Sequence, residues 1–170
     1  MPHFHIPLQS GSDVVLKLMR RRYNTAMFQS KLDKIRNMIP NAGIGIDVIV
    51  GTPGETEEYF DECFNFLEST DLSYIHVFSY SPRENTDALN IQPKVSVQQK
   101  SNRSKLLHDL SGKKSIDFAL RQRDNIDTVL FPQKNENGYI NGFTSNYIKV
   151  THPFDKRLVN SIKKVKLLDV

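Results

Sequence analysis

The sequence predicts an α/β protein in which a parallel sheet is followed by a small antiparallel β unit. Residues 44–50 form a near-continuous β-branched run, which is typical of a strand covered on both faces. Strand-like and helix-like segments alternate up to residue 79, which favours a parallel sheet with right-handed crossovers. After residue 118, short strand-like runs recur at a spacing of roughly eight to ten residues, as in a small antiparallel barrel or sandwich.

In the first half of the chain, segments with the apolar spacing of a strand alternate with segments that have the apolar spacing of a helix. The predicted strands cover residues 3–9, 44–50 and 73–79, and the predicted helices cover residues 13–20, 25–39 and 57–69. Phe28, Leu32 and Ile35 share one face of the second helix, which Pro40 ends. Acidic residues in the first turn of the third helix complement its dipole.

The second half begins with a loop and a long polar helix. Residues 81–95 contain Pro82, Asn85 and Pro93 with little periodicity, which predicts a loop. Residues 97–118 predict a basic helix whose apolar anchors are Leu106, Leu107 and Leu110. The predicted strands after it cover residues 128–131, 138–143, 147–150 and 161–168. We therefore divide the chain into residues 1–95, a linking basic helix at 96–118, and residues 119–170.

The net charge of +4 over 170 residues conceals an asymmetry. Residues 1–95 carry 9 Lys and Arg against 12 Asp and Glu, whereas residues 96–170 carry 14 against 7. A neutral or acidic body joined to a basic module is typical of a protein that meets a polyanion. An ordinary solvated lysine face explains the charge alone equally well.

The cellular setting follows from what the sequence lacks. No run of eighteen apolar residues is present, and the N-terminus has no signal-peptide pattern, so we expect a cytoplasmic protein without a membrane partner. The single cysteine, Cys63, cannot form an internal disulfide. It lies at helical spacing with Phe60, Phe64 and Leu67, which predicts a buried thiol.

Each predicted strand of the parallel sheet ends in polar or glycine-containing sequence. The three segments are Gln9-Ser-Gly-Ser12, then Gly43-Ile-Gly-Ile-Asp47 with Gly51-Thr-Pro-Gly-Glu55, and Tyr80-Ser-Pro-Arg83. Ligands bind at the carboxyl ends of parallel strands, and free N–H groups ahead of a helix favour an anion. These segments predict a nucleoside-like ligand, although each one alone is also explained as a turn.

Other site chemistries receive less support. The first strand is followed by neither a Walker A motif nor GxGxxG, which disfavours nucleotide triphosphatases and Rossmann dehydrogenases. His3 and His5 alternate on a strand while His76, His108 and His152 are scattered, so we predict no metal site. The arginines at 20–22 form either a solvated basic face or a partner for a ligand carboxylate.

Four segments together resemble the radical S-adenosylmethionine methylthiotransferase family. They are His5-Ile-Pro-Leu-Gln-Ser-Gly-Ser12, Met19-x-Arg-x-Tyr23, Asp47-Val-Ile-Val-Gly-Thr-Pro-Gly-Glu-Thr56 and Tyr80-Ser-Pro-Arg83, in the family's order and at fitting spacing. Residues 138–150 and 165–168 are similar to the TRAM domain, a small RNA-binding β-barrel. Thr52 stands where the family commonly has Phe, and Asn85 stands where Gly is usual.

The resemblance implies a fold and a set of cofactors. The first part would be the second half of a partial (β/α) radical-SAM barrel that holds S-adenosylmethionine, and the last part a TRAM-like barrel. The family's [4Fe-4S] clusters need a CxxxCxxC motif and further cysteines, none of which this sequence has. We therefore expect an active full-length parent enzyme and an inactive isolated chain.

The resemblance also implies a reaction and a partner. Family members cleave S-adenosylmethionine to a 5′-deoxyadenosyl radical and insert a methylthio group. The segment from His76 to Arg83 is most similar to the branch that modifies N6-threonylcarbamoyladenosine beside the tRNA anticodon, so the anticodon stem-loop is the expected partner. The alternatives are the isopentenyladenosine branch, the ribosomal-protein branch and a stand-alone RNA-binding module without catalytic activity.

Two groups of residues are the resulting site candidates, and no catalytic residue is assigned. Those for S-adenosylmethionine are Gln9, Ser10, Ser12, Arg21, Asp47, Gly51 and Glu55. Those for RNA are Arg83, Tyr139, Tyr147, Lys149, Lys163 and Lys166. Phe143 alternates with polar residues in the same module and fits either base stacking or the barrel core. A first strand without an outer neighbour, apolar at Phe4, Ile6 and Leu8, also predicts self-association through its edge.

Overall fold

The computed structural model describes residues 1–132 and 135–168. Its first unit is a three-stranded parallel sheet in the order β1-β2-β3, which confirms the predicted α/β class. The strands are β1 (His3–Gln9), β2 (Gly43–Val50) and β3 (Tyr74–Ser79). The helices between them are α1 (Asp13–Leu18), α2 (Thr25–Met38) and α3 (Glu57–Ser69).

Side-chain caps fix where the helices begin. The Asn24 side chain accepts a hydrogen bond from the Met27 N–H at the start of α2, and Thr56 accepts one from the Tyr59 N–H at the start of α3. α1 ends at Leu18, two residues before its predicted end, because Arg20 adopts a left-handed conformation with φ of 57°.

The parallel sheet has one covered face and one open face. Ile44, Ile46 and Val48 of β2 are fully buried and pack in the same core as Phe28 of α2 and Phe60 of α3. Side chains on successive strand residues point to opposite faces. The opposite face, called the open face below, therefore carries the alternate residues: His3, His5, Pro7, Gly43, Gly45, Asp47, Ile49, Tyr74, His76 and Phe78.

A long helix, α4 (Val97–Leu120), runs along the free edge of β3. The Ser111 hydroxyl accepts a hydrogen bond from the Ile75 N–H at 2.8 Å and donates one to the Ile75 carbonyl at 3.0 Å. The Ser115 hydroxyl donates to the Ser73 carbonyl. α4 thus closes the edge that β3 would otherwise expose, in addition to linking the two units.

The apolar contacts of α4 differ in part from the prediction. Leu107 and Leu110 are buried in the core of the parallel sheet, as predicted. Leu106 is half exposed, so its assignment as an anchor is wrong. The loop before α4 contains a 3-10 turn at Asp87–Asn90. No helix in the described part of the chain is long and apolar enough to cross a membrane.

The second unit is an antiparallel sheet with a small core of its own. Its strands are β4 (Ile126–Phe131), β5 (Asn135–Glu136), β6 (Tyr139–Thr144), β7 (Lys149–Pro153) and β8 (Ser161–Lys166). β4 pairs with β6 and β8, while β6 pairs also with β5 and β7. Val129, Phe131 and Ile140 form the buried centre.

Two strands begin later than predicted because of turn geometry. β7 begins at Lys149 instead of residue 147, since Tyr147 has a φ of 74° and its N–H is bonded to the Thr144 carbonyl in a tight turn. β6 begins at Tyr139 because Gly138, with φ of 84°, belongs to the preceding turn. β5 lies between two predicted strands, in a segment for which no strand was predicted.

Candidate functional site

The end of β1 turns sharply into α1. Gln9 is buried and has a φ of 76°, in the left-handed region that non-glycine residues rarely occupy. The exposed Arg21 guanidinium donates a hydrogen bond to the Gln9 side-chain oxygen at 3.2 Å. The structure therefore brings these two cofactor candidates together at the carboxyl end of β1. Such a strained position is a common feature of binding sites.

Ser10 and Ser12 lie against α3. The Ser12 hydroxyl donates to a Glu62 carboxylate oxygen at 2.6 Å, and the Ser12 N–H donates to the Ser10 hydroxyl. Between them, a Cβ on Gly11 would lie 2.9 Å from the carbonyl oxygen of Cys63, so only glycine permits this close approach. Both serines are buried and anchor the turn to α3.

The loop from Gly51 to Glu55 is buried, and protein oxygens accept hydrogen bonds from the N–H groups of both its glycines. The Gly51 N–H donates to the Glu55 carboxylate at 2.9 Å, and the Gly54 N–H donates to the Pro93 carbonyl at 2.8 Å. The expectation that these N–H groups are free for an anion is therefore wrong, because protein oxygens already occupy them. Thr52 differs, since its buried hydroxyl oxygen has no hydrogen-bond partner among the described residues.

A buried arginine of α4 holds this loop in place. The Arg103 guanidinium contacts the Glu55 carboxylate at 2.7 Å and that of Glu57 at 2.6 Å, and it lies over the Phe60 ring. Burial raises the pKa of Glu55, although the Gly51 N–H and Arg103 oppose that shift. Gly51 and Glu55 thus form a support behind the strand ends, where the sequence suggested ligand contacts.

A cavity of about 440 Å³ lies at the carboxyl ends of β2 and β3. Ile49 and Phe78 line it from the sheet, and Tyr80 and Arg83 line it from the segment that follows β3. The structure places Arg83, predicted to bind RNA, at the rim of this apolar cavity. Its location suits a phosphate or carboxylate on a ligand that also reaches the open face.

The open face brings together three side chains from three strands. The His5 Nε2 atom lies 2.7 Å from the Asp47 Oδ1 atom, and the His76 Nδ1 atom lies 3.6 Å from the same oxygen. The prediction that His76 is isolated from the other histidines is wrong. Asp47 lies four residues before Gly51 along β2, about 13 Å away, so it belongs to this histidine cluster and not to the strand-end loops.

Tyr74 extends the cluster toward the amino ends of the strands. Its ring lies over Gly45, where a Cβ would come within 2.0 Å of the ring carbon Cζ. Its hydroxyl contacts the His3 Nε2 atom at 2.8 Å and the His5 Nδ1 atom at 3.4 Å. Burial lowers the pKa of His3 and raises that of Tyr74. The glycine in this strand therefore makes room for an aromatic ring.

Sequence reasoning missed this cluster. The alternation of histidines in β1 was visible, but the partners Asp47 and His76 depend on the register of three strands. Pro7 pairs with Asp47, and Asp47 pairs with His76, so residues far apart in sequence become neighbours on one face. The signal that would have found them is a histidine or an acidic residue on the same face of each of three successive strands.

An aromatic stack joins the two units. Tyr147 stacks on His3 with ring centroids 4.6 Å apart, and on Phe143 with centroids 4.9 Å apart. Beside the stack, the Asn146 side chain donates a hydrogen bond to the Asn41 carbonyl. Tyr147, predicted to bind RNA, therefore has ring contacts within the protein on both sides while half of its surface remains exposed.

The outer face of the antiparallel sheet carries a row of side chains across four strands. Lys149 pairs with Phe143, Phe143 with Leu130, and Leu130 with Ile162, so these four form what we call the outer row. Phe143, Leu130 and Ile162 are 37%, 55% and 66% exposed. The barrel-core alternative for Phe143 is therefore wrong.

The remaining RNA candidates in this sheet do not all lie on its outer face. Tyr139 is half exposed on the outer face of β6, and Lys166 lies on the outer face of β8 in an ion pair with Asp124 at 2.8 Å. Lys163 pairs with the buried Val129, so it starts from the opposite face of β8. Lys164, which the sequence did not single out, shares the outer face with Lys166.

Comparisons with known proteins find similar sequences along nearly the whole chain. The family model of the radical SAM superfamily matches residues 1–67. The chain is 37% identical to the threonylcarbamoyladenosine tRNA methylthiotransferase MtaB of Bacillus subtilis over 170 residues, which are 98% of this chain and 38% of that protein. It is 33% identical to the tRNA-2-methylthio-N(6)-dimethylallyladenosine synthase of Bacillus pumilus over 98% of this chain and 33% of that protein. Residues 1–67 thus match the radical SAM superfamily, and nearly the whole chain is similar to tRNA methylthiotransferases.

The chain spans about a third of the length of these relatives. A solved structure with the same fold is coproporphyrinogen III oxidase (HemN) from Escherichia coli, a radical SAM enzyme, with a TM-score of 0.51 and 20% identity. It covers 71% of this chain, which itself covers 27% of the HemN chain. This likeness shows a shared fold.

Proposed function

We propose that the protein carrying this chain transfers a methylthio group to an adenosine of tRNA. The match of nearly the whole chain to tRNA methylthiotransferases of two substrate types carries this proposal. Within that activity, the parallel sheet would contribute to the S-adenosylmethionine site and the antiparallel sheet would hold the RNA. A cytoplasmic location follows from a tRNA substrate.

The carboxyl end of the parallel sheet has groups that fit S-adenosylmethionine. Gln9 and Arg21 meet there, and the buried Thr52 hydroxyl lacks a partner. Arg21 suits the amino-acid carboxylate of this cofactor, and the Gln9 amide suits its amino or hydroxyl groups. S-adenosylmethionine supplies the radical chemistry and the methyl group in this family. This chain's own residues would bind and orient it.

The residues of this chain do not fit an iron–sulfur cluster. Such clusters need three or four cysteine thiolates, and Cys63 is the only cysteine. Its Sγ atom is buried and accepts the Gly11 N–H at 3.0 Å, and burial raises the pKa of the thiol to about 11. The cluster ligands of the family have no counterpart here.

The outer row supports RNA as the partner of the antiparallel sheet. Phe143 is an exposed ring on which a base can stack, and Lys149 beside it offers a phosphate contact. Lys164 and Lys166 extend the positive charge along β8. Interleaved aromatic and basic side chains on one sheet face are the arrangement that single-stranded loops bind.

We propose N6-threonylcarbamoyladenosine beside the anticodon as the substrate. Its threonylcarbamoyl group carries a carboxylate and a hydroxyl, whereas a dimethylallyl group is a hydrocarbon. The open face presents the polar rings of His3, His5, Tyr74 and His76, which offer hydrogen bonds to the former, beside the apolar cavity lined by Ile49 and Phe78. The segment from His76 to Arg83 supports the same branch.

Two experiments test this function. Deleting the gene should remove the methylthio group from N6-threonylcarbamoyladenosine in total tRNA digests analysed by mass spectrometry, and restoring the gene should return it. Loss of the methylthio group from dimethylallyladenosine instead would assign the other tRNA branch. An unchanged set of methylthiolated nucleosides would leave the ribosomal-protein branch and the stand-alone RNA-binding module as the alternatives.

The chain itself can be tested for RNA binding. An anticodon stem-loop titrated in increasing salt should lose affinity, and Lys149→Ala should reduce the slope of log affinity against log salt by about 0.7 to 0.9. Lys105→Ala, an exposed lysine of α4, is the matched control and should leave the slope unchanged. Equal effects of both variants would contradict binding at the outer row.

A further inference from the structure

The cluster of His5, Asp47 and His76 has the composition of a metal site. Each residue offers one ligand atom, and these atoms all lie within 4.8 Å of one another. The side chains come from three adjacent strands of a rigid sheet, and 36%, 23% and 54% of their respective surfaces are exposed. The ligand atoms are thus held by backbone pairing and remain open to ions from solvent.

Hydrogen bonding around His5 directs one ring nitrogen toward the cluster. The Tyr74 hydroxyl has a single proton and lies nearer to His3, at 2.8 Å, than to His5, at 3.4 Å. In the tautomer in which Tyr74 donates to His3 Nε2, the Tyr74 oxygen accepts the N–H of His5 Nδ1. The second nitrogen, Nε2, faces the Asp47 carboxylate at 2.7 Å.

One tautomer of His5 places two acceptor atoms opposite each other, as in a metal site. With its proton on Nδ1, His5 directs the Nε2 lone pair toward the Asp47 oxygen, so a cation between these two atoms would be bound by both. A metal-bound histidine typically donates its other N–H to a neighbouring oxygen, which fixes the ring orientation. Tyr74 supplies that oxygen, and His76 adds a third ligand from the far side of Asp47.

We propose that His5, Asp47 and His76 bind one divalent transition-metal ion, with Zn²⁺ as the best-matched ion. Two imidazoles and one carboxylate are a ligand set of zinc sites that keep positions open for water or substrate. Tetrahedral zinc would separate ligand atoms by about 3.4 Å. The His76 and Asp47 atoms already lie 3.6 Å apart, and the closer His5 and Asp47 pair needs to open by about 0.7 Å.

This site differs from the iron–sulfur centres of the family in its chemistry. Its donors are nitrogen and oxygen, and the only thiol, Cys63, lies in the core on the other side of the sheet. His5 and His76 are also among the rings offered to the threonylcarbamoyl group in the proposed function, but metal binding is measured without RNA or S-adenosylmethionine. Failure of either claim is therefore recognised separately.

The test is a titration of the metal-free full chain with Zn²⁺ by calorimetry, and with Co²⁺ followed by its visible absorption. We expect one ion per chain and a Co²⁺ spectrum of a four- or five-coordinate site. Asp47→Asn and His76→Ala should each weaken binding by at least about 100-fold, and Tyr74→Phe by about 10-fold, because it removes only the oxygen that orients His5.

His108→Ala is the matched control, since His108 is an exposed histidine of α4 that bonds only to Ser104 within its own helix. It should bind Zn²⁺ like the unaltered chain. Circular dichroism of every variant excludes misfolding as the cause of lost binding. Absence of binding to the folded chain, or equal loss in His108→Ala and His76→Ala, would overturn the proposal.

Discussion

The imidazole of His3 stacks on the phenol ring of Tyr147, with centroids 4.6 Å apart and planes inclined by 20°. His3 begins the first strand of the parallel sheet, and Tyr147 lies in the turn before β7 of the antiparallel sheet. Phe143 stacks on the other side of Tyr147, so the outer row is connected to the open face through rings in contact. A ligand on one face therefore contacts the same stack as a ligand on the other.

Removing the central ring should weaken the link between the two units. We expect Tyr147→Ala to lower the free energy of unfolding by about 1 to 3 kcal/mol, because two aromatic contacts are lost together. Tyr139→Ala is the matched control, since Tyr139 is 51% exposed against 50% for Tyr147. It should change stability by less than about 0.5 kcal/mol in urea titrations. Equal changes would show that the stack contributes nothing.

Arg103 gives a second prediction, about the support of the strand-end loop. Arg103→Ala should lower the free energy of unfolding by about 3 to 5 kcal/mol, because it leaves the buried Glu55 carboxylate without its ion-pair partner. Lys105→Ala, two residues away on the exposed side of α4, should have little effect. Chemical denaturation of both variants measures the difference. A small loss of unfolding free energy in Arg103→Ala would show that Arg103 does not stabilise the loop.

The fold was largely predictable because it follows from local patterns. The β-branched run of β2 and the apolar spacing of α2 correctly predicted both elements. The side chains of Asn24 and Thr56 cap the first turns of α2 and α3 and so fix where these helices begin. The boundary of β7 was not predictable from propensity, because Tyr147 takes a left-handed conformation that tertiary stacking stabilises.

The candidate site was less predictable for a physical reason. Gly51 and Glu55 have the residue types of a ligand loop, yet Arg103, which satisfies Glu55, comes from a helix 48 residues later in the chain. In the same way, His5 and His76 become neighbours only through strand register. Local sequence identifies which residues can bind a ligand, but not which protein groups already occupy them.

Cys63 provides a prediction on pH dependence. Burial raises the pKa of its thiol from 9.0 to about 11, so the unfolded chain loses this proton at lower pH than the folded chain. The free energy of unfolding should therefore fall as the pH rises from about 9 to about 11, by up to about 3 kcal/mol from this group.

Cys63→Ala separates this effect from other groups that titrate in the same range. The variant should lose the Cys63-dependent part of the slope while keeping that of lysines and tyrosines, and urea titrations near neutral pH and at high pH give both slopes. The native thiol should also react slowly with alkylating reagents, since the thiolate is the reactive form. Parallel slopes for the two proteins would contradict the burial effect.

Self-association through β1 is the last prediction. Among the described residues, β1 pairs only with β2, whereas the free edge of β3 is closed by Ser111 and Ser115 of α4. This edge exposes less apolar surface than the sequence predicted, because Leu8 is fully buried and Phe4 and Ile6 pack on the core. Unpaired backbone groups of β1 thus remain the main cause of association.

We expect weak dimers in sedimentation velocity, with a proportion that rises with protein concentration. The exposed outer row is the competing cause, and Ile162→Lys distinguishes the two, because it removes apolar surface from the outer row without touching β1. Dimers that persist in Ile162→Lys assign the association to the edge of β1. Their loss in that variant would assign it to the outer row, and a monomer at every concentration would refute self-association altogether.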